Sequence, residues 1–222
     1  MTMLSEHYQN KPDQYFHYFR REMVPFVPET ASTLLEVGCG DGSFAAAIKQ
    51  LRSIHVTGVE PVADASRVAA ARIDTVIHAD IEAGLTSLKG QMFDCVVCND
   101  VLEHLLDPWD IVRQLRDHIR PGGHFVASIP NVRHFAVMKE LLMRRNWHYT
   151  DQGVLDRTHL RFFTEHTVRS LFEEADLKVI QIQGINGGPF PWKFALLNRL
   201  LFNQLDDMRW IQFACVSQRI SS

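Results

Sequence analysis

The sequence predicts a doubly wound α/β fold: a seven-stranded sheet, mostly parallel, with a late antiparallel strand. Three observations carry this. Short apolar runs alternate with stretches of helical spacing, the pattern of a sheet covered on both faces. The first run breaks into Gly38-Cys39-Gly40-Asp41-Gly42 before a helix, the strand-turn-helix junction that opens such sheets. Two further runs, LKVIQIQ and WIQFACVSQ, are separated by a long excursion and suit an antiparallel edge.

Residues 1–13 are polar and contain Pro12, so they read as a leader. A helix is expected from Asp13 or Gln14 through YFHYFRREMVPFV, with Pro25 and Pro28 marking its end. This leader and helix, 1–30, precede a domain spanning 31–222. That domain opens with a strand at 33–37 and a helix from Ser43, then a strand at 55–59, a helix at 62–70, and strands at 75–78 and 93–98. A helix over 108–119 leads to a turn at Pro121-Gly122-Gly123 and a fifth strand, HFVASIP. Residues 131–164 break the cadence and read as an insertion on the substrate side. It holds a helix over VRHFAVMKELLMR and then an irregular stretch, NWHYTDQGVLDRTHLRFF. A helix over Glu165–Ala175, the strand LKVIQIQ, a Gly/Pro loop at 184–192, a helix near 193–205 and the strand WIQFACVSQ complete the order. The loop can form a lid, an interface or neither.

The chain has 222 residues, 46% hydrophobic and 22% charged, within the range of a globular protein that buries a sizeable core. Its 23 Lys and Arg against 26 Asp and Glu give a net charge of -3, without the broad basic footprint of a nucleic-acid binder. No run approaches the length of a membrane span, and the expectation is a cytoplasmic protein. The four cysteines are too sparse for a disulfide scaffold. Cys95 and Cys98 have C-x-x-C spacing, but they lie in one apolar run, where alternation sends them to opposite faces of a strand.

The candidate site lies where these strands end. Gly38, Gly40 and Gly42 allow a tight turn and close approach of a ligand to the backbone, or serve only as a sharp turn. Glu60, at the end of the second strand, can accept hydrogen bonds from both hydroxyls of a ribose, or cap the turn before Pro61. Asp80 can meet an adenine amino group while Ile81 packs on the ring. Asn99 and Asp100, after the fourth strand, can orient a cofactor tail or a substrate, or cap the loop.

At these residues the chain resembles class I S-adenosylmethionine-dependent methyltransferases. The matching stretches are LLEVGCGDGSF at 34–44, VTGVEP at 56–61, HADIE at 78–82, FDCVVCNDVLEHLLDP at 93–108 and RPGGHFVASIPN at 120–131. The resemblance implies a Rossmann-like fold, S-adenosyl-L-methionine as cofactor and S-adenosyl-L-homocysteine as product. It places Glu36 near the methionine amino group, with Gly38 and Gly40 lining the same pocket, Glu60 on the ribose and Asp80 at the adenine. Ser43 stands where a dinucleotide fingerprint has its third glycine, which weighs against a nicotinamide or flavin site.

A sulfonium donor carries its own leaving group, so transfer needs an aligned nucleophile and only sometimes a base. For a hydroxyl acceptor a base has a purpose, and His159 is the candidate, with packing on Phe162 and Phe163 as the alternative. Asp156 can orient a histidine, bind an acceptor hydroxyl or cap a turn. Arg161, with Arg157, offers a place for an anionic group or pairs at the surface. His134, Trp147, His148 and Tyr149 can stack on an acceptor or belong to the core. The histidines form no compact metal motif, and no metal is expected.

The stretches IPNVRHFAVMKELL and DRTHLRFFTEHTVRSLFEEADLKV resemble a bacterial subgroup associated with O-antigen and other surface-polysaccharide biosynthesis. This implies O-methylation of a saccharide, nucleotide sugar or other small metabolite, and that any glycosyltransferase partner would be a separate protein. A quinone-precursor or protein methyltransferase, or a noncatalytic binding protein of the same fold, are the alternatives. Monomer and homodimer remain equally open.

Overall fold

The computed structural model describes residues 20–220. The expected leader and the first part of the expected amino-terminal helix lie outside them. Seven strands run β1 Thr33–Val37, β2 His55–Glu60, β3 Thr75–His78, β4 Phe93–Asn99, β5 Ile119–Pro130, β6 Leu177–Ile185 and β7 Gln212–Arg219. They form one sheet in the order β3-β2-β1-β4-β5-β7-β6. The first five pair in parallel, and β7 runs antiparallel to both β5 and β6, as the two late apolar runs suggested. The helices are α1 Ser43–Leu51, α2 Ala63–Ala69, α3 Ile81–Ser87, α4 Pro108–Asp117, α5 Phe135–Arg144, α6 Glu165–Glu173 and α7 Trp192–Leu200.

Period-two alternation divides the central strands between two cores. Cys95 and Val97 of β4 point to one face with Phe44 and Ile48 of α1. Val96 and Cys98 point to the other, with Ile111 and Leu115 of α4 and Phe172 of α6. All four cysteines are buried and free, so the C-x-x-C pair is divided as its strand register requires.

Four local expectations change. Arg21–Phe26 is a short 3-10 helix with Pro25 inside it, so Pro25 does not end the element. Met23 and Val27 of this segment seat it in the core on the α1 face. Pro121-Gly122-Gly123 lies within β5, not before it. There the pairing of β5 with β4 slips, Ile119 opposing Phe93 and His124 opposing Cys95, so the extra residues bulge out of the ladder. The helix α3 was not expected at all. It is only seven residues long and contains Gly84, a weak helix former, but a side chain there would meet Val59 at 2.8 Å. Close packing on β2 explains what propensity does not. Gly184 and Ile185, expected in a loop, extend β6 opposite Phe213 and Gln212.

Candidate functional site

Glu36 lies on β1, the strand flanked by β2 and β4, opposite Gly58 and Val97. It is buried, and its Oε2 has no hydrogen-bond partner. Burial first, and then the charge of Glu60, push its carboxyl well above the usual range. One turn on, Gly38, Gly40 and Gly42 all have positive φ, a conformation open to glycine at little cost. A side chain on Gly38 would strike Val101 at 2.7 Å, and one on Gly42 would crowd Ala69 at 3.2 Å. The loop is therefore shaped by packing as well as by its turn. Asp41 is buried within it, accepts from the Ser43 amide at 3.0 Å and pairs with Arg72.

Glu60 ends β2 beside this loop. The Gly40 amide donates to its Oε2 at 2.8 Å and the Val62 amide to its Oε1 at 2.9 Å. Burial raises its pKa, and these two amides partly offset the shift. Each carboxylate oxygen keeps a further lone pair, the capacity a ribose hydroxyl needs. Asp80 is exposed and caps α3, accepting from the Ala83 amide at 2.9 Å. Ile81 is buried in the core beneath it.

Asn99 ends β4, and both polar atoms of its amide are buried without partners. A buried, unsatisfied amide is costly, as is the orphaned Glu36 oxygen. Both groups lie at the carboxyl edge of the sheet, where an open α/β fold takes its ligand. The donor set fits an ammonium- and carboxylate-bearing molecule joined to a ribose.

Asp100 adopts φ +53 and is held on several sides. Arg20 pairs with its Oδ2 at 2.5 Å, while Ser128 and Gln212 donate to its Oδ1 at 2.9 and 2.7 Å. Burial raises its pKa despite the guanidinium beside it. This network joins the segment before β1 to the ends of β4, β5 and β7. The sequence reading did not single out Arg20, Ser128 or Gln212, which are 192 positions apart at their extremes.

Past Asp100 a single 3-10 turn, Leu102–His104, delivers Glu103 and His104 into the interior. The irregular segment of the insertion folds over them, the Leu160 and Arg161 amides donating to the Glu103 carbonyl at 2.8 and 3.0 Å. His159 is thereby buried. Its Nδ1 lies 3.0 Å from the Val154 carbonyl, an acceptor only, which assigns the proton to Nδ1 and the lone pair to Nε2. Nε2 faces Glu103 Oε1 at 3.9 Å, and the His104 ring meets the His159 ring edge-on at 4.7 Å. Burial and the nearby Asp100 hold the Glu103 carboxyl well above its usual range. The ligand-capable atoms of Glu103, His104 and His159 lie within 4.8 Å of one another. Glu103 and His104 stand over 50 residues from His159, a spacing that gave no signal in the sequence.

The other residues expected on the substrate side are dispersed. Asp156 accepts from the amide and hydroxyl of Thr158, and is buried. The Arg161 guanidinium bonds the Leu106 carbonyl and lies 5.9 Å from the Trp109 ring. His134 stands at the residue before α5 without a side-chain capping bond, and burial lowers its pKa. Tyr149 is exposed, with Phe162 6.4 Å away. Among the described residues no helix is long and apolar enough to cross a membrane.

A family profile described as "Methyltransferase domain" matches residues 6–182. A curated relative from Aeromonas salmonicida, named ubiquinone biosynthesis O-methyltransferase, is 28% identical over 180 residues, covering 73% of this chain and 70% of its own. A possible histamine N-methyltransferase from Thermotoga maritima has a similar structure, with TM-score 0.66 at 16% identity over 97% of this chain and 99% of its own. The N-methyltransferase NodS from Bradyrhizobium japonicum, solved with S-adenosyl-L-homocysteine, gives TM-score 0.60 at 16% identity over 96% and 90% of the two chains.

Proposed function

The chain belongs to the methyltransferase-domain family, and from that premise we propose that it methylates a hydroxyl oxygen of a small-molecule acceptor. It is an S-adenosyl-L-methionine-dependent methyltransferase of class I, with S-adenosyl-L-homocysteine as product. When bound, the donor supplies a methyl group on a sulfonium, already activated for in-line displacement. In our reading Glu36 and Asn99 receive the methionine end, Gly38, Gly40 and Gly42 wall the pocket, Glu60 takes the ribose, and Asp80 and Ile81 flank the adenine.

The observation that carries the oxygen reading is the buried pair of His159 and Glu103, with Nε2 3.9 Å from Oε1. An alcohol oxygen must lose its proton as it attacks, and His159 Nε2 holds the lone pair to accept it. The imidazolium so formed would lie beside Glu103, and its positive charge would favour ionisation of that otherwise neutral buried carboxyl. Asp100, fixed by Arg20, Ser128 and Gln212, lies at the same edge to orient the acceptor, whereas Asp156 and Arg161 are engaged by Thr158 and the Leu106 carbonyl. A phenolic hydroxyl ionises more readily than a sugar hydroxyl, so it depends less on such a base.

Two acceptor classes follow. The name of the curated relatives favours a phenolic quinone precursor, while the downstream stretches that resemble polysaccharide-associated enzymes favour a saccharide or nucleotide sugar, with a separate glycosyltransferase supplying or using it. The test incubates the protein with donor and a panel of both classes together with amine acceptors, reading a one-methyl mass gain by mass spectrometry. On the accepted substrate, His159→Gln should lower kcat about 10²- to 10⁴-fold and leave S-adenosyl-L-homocysteine affinity unchanged. An unchanged kcat overturns the base assignment, and methyl gain only on amines overturns the oxygen reading.

A further inference from the structure

Two helices contribute almost nothing to either core. α5 has no buried residue, and α7 buries only Asn198. They meet each other instead, Phe135 packing 4.5 Å from Phe194, with Phe190 4.8 Å from Phe194. Their outer surface is apolar. Trp192, Leu196 and Leu200 recur every four residues as one stripe of α7, and Trp192 is 73% exposed. Met143 at the end of α5 is 77% exposed, and Phe202 just past α7 is 89% exposed. Single exposed apolar residues are ordinary, but a set concentrated on two adjoining helices marks an interaction surface.

The charge of these helices is opposite to that of the chain. Residues 135–145 and 192–202 hold five Lys and Arg against one Glu, whereas the whole protein is at -3. That Glu140 is paired with Arg144 at 3.0 Å. Lys193 lies 5.5 Å from the Trp192 ring, placing a cation beside an exposed indole. Aliphatic and aromatic side chains rimmed by Lys and Arg match a bilayer interface with anionic headgroups.

We propose that the outer face of α5 and α7 docks on an anionic lipid bilayer, the enzyme lying on the surface without crossing it. The same face would oppose its own basic rim in a two-fold dimer, which the charge disfavours. α5 follows the carboxyl end of β5, and α7 lies between the carboxyl end of β6 and the start of β7. Docking therefore turns the sheet edge that bears Asn99 and Asp100 toward the membrane. The proposal stands whichever acceptor is methylated.

The experiment is flotation of the full chain with phosphatidylcholine vesicles and with vesicles containing phosphatidylglycerol. The expected result is co-flotation with the anionic vesicles, weakened by salt and absent or far weaker with neutral ones. The variant Met143→Ser/Leu200→Ser/Phe202→Ser should lose partition by about tenfold or more, and Lys139→Glu/Arg199→Glu should lose it selectively at low salt. Circular dichroism and retained S-adenosyl-L-homocysteine affinity verify that both variants fold. No flotation with anionic vesicles at low salt, or equal flotation of parent and apolar variant, overturns the proposal. Equal binding to neutral vesicles overturns its electrostatic part. A concentration-dependent dimer that the apolar variant dissociates, without vesicle binding, assigns the face to a second copy.

Discussion

Individual side chains at the sheet edge bury polar groups at a cost. Glu36 and Asn99 bury polar atoms with no partner, and Glu60 spends one lone pair of each oxygen on a backbone amide. Glu60→Ala should weaken S-adenosyl-L-homocysteine binding by about tenfold to a hundredfold, the equivalent of ~1.5–3 kcal/mol for hydrogen bonds to a charged group, as read by calorimetry. Glu36 has a raised pKa, so its ionised fraction falls as pH drops through that raised value. An ionised carboxylate is what attracts the donor ammonium. Donor affinity should therefore decline toward acid pH in the parent and lose that part of its pH dependence in Glu36→Gln; parallel profiles would displace Glu36 from the ammonium. The placement of Glu36, Glu60 and Asn99 near the carboxyl ends of β1, β2 and β4 was legible because each stands at a fixed position of a strand-ending motif. Glu103 was not, because a role made by one 3-10 turn and a distant loop leaves no spacing to read.

Elements are held to one another by a few specific contacts. Asp94 near the start of β4 accepts from the Ser32 amide and hydroxyl at 2.9 and 2.7 Å, from the Thr33 amide at 2.9 Å, and from Arg120 at 2.7 Å. Burial pushes its carboxyl up, but these donors outweigh it and hold the pKa well below the usual carboxylate range. A depressed folded-state pKa stabilises above the unfolded-state value of about 3.9, and that contribution is lost as pH falls toward the folded value. Asp94→Asn should cost about 2 kcal/mol at neutral pH, with the gap to the parent narrowing in acid, measured by urea unfolding at several pH values. At the other end of the sheet Trp210 lies over Gly184, where an added Cβ would fall 2.0 Å from the indole. Gly184→Ala should destabilise by about 1–3 kcal/mol through overpacking, seen as a lower denaturation midpoint. The alternating apolar runs made the seven strands readable. The added helix α3, the bulged start of β5 and the longer β6 depend on a glycine meeting a particular neighbour, which no local pattern encodes.

The strands among the described residues form one sheet whose proposed ligand edge draws on β1, β2 and β4 together. A ligand that binds only this assembled edge stabilises the folded state by mass action, about 2.7 kcal/mol at a hundredfold excess over Kd. S-adenosyl-L-homocysteine at that excess should raise the melting temperature by about 5–10 °C for a chain of this size. An unmoved transition at that concentration would mean that the ligand does not bind the folded chain with the expected affinity. The doubly wound order was legible in outline, and so was the antiparallel ending. Its detailed consequence lies in β7, which among the described residues is the only neighbour of β6 and also joins it to β5. During synthesis on the ribosome, residues 177–185 emerge well before residues 212–219, so β6 must wait with no strand beside it while the segment through α7 is made. The nascent chain thus carries a dangling edge until its last strand slides in between, and a pause or truncation ahead of Gln212 leaves that edge available to chaperones or to another unfinished copy.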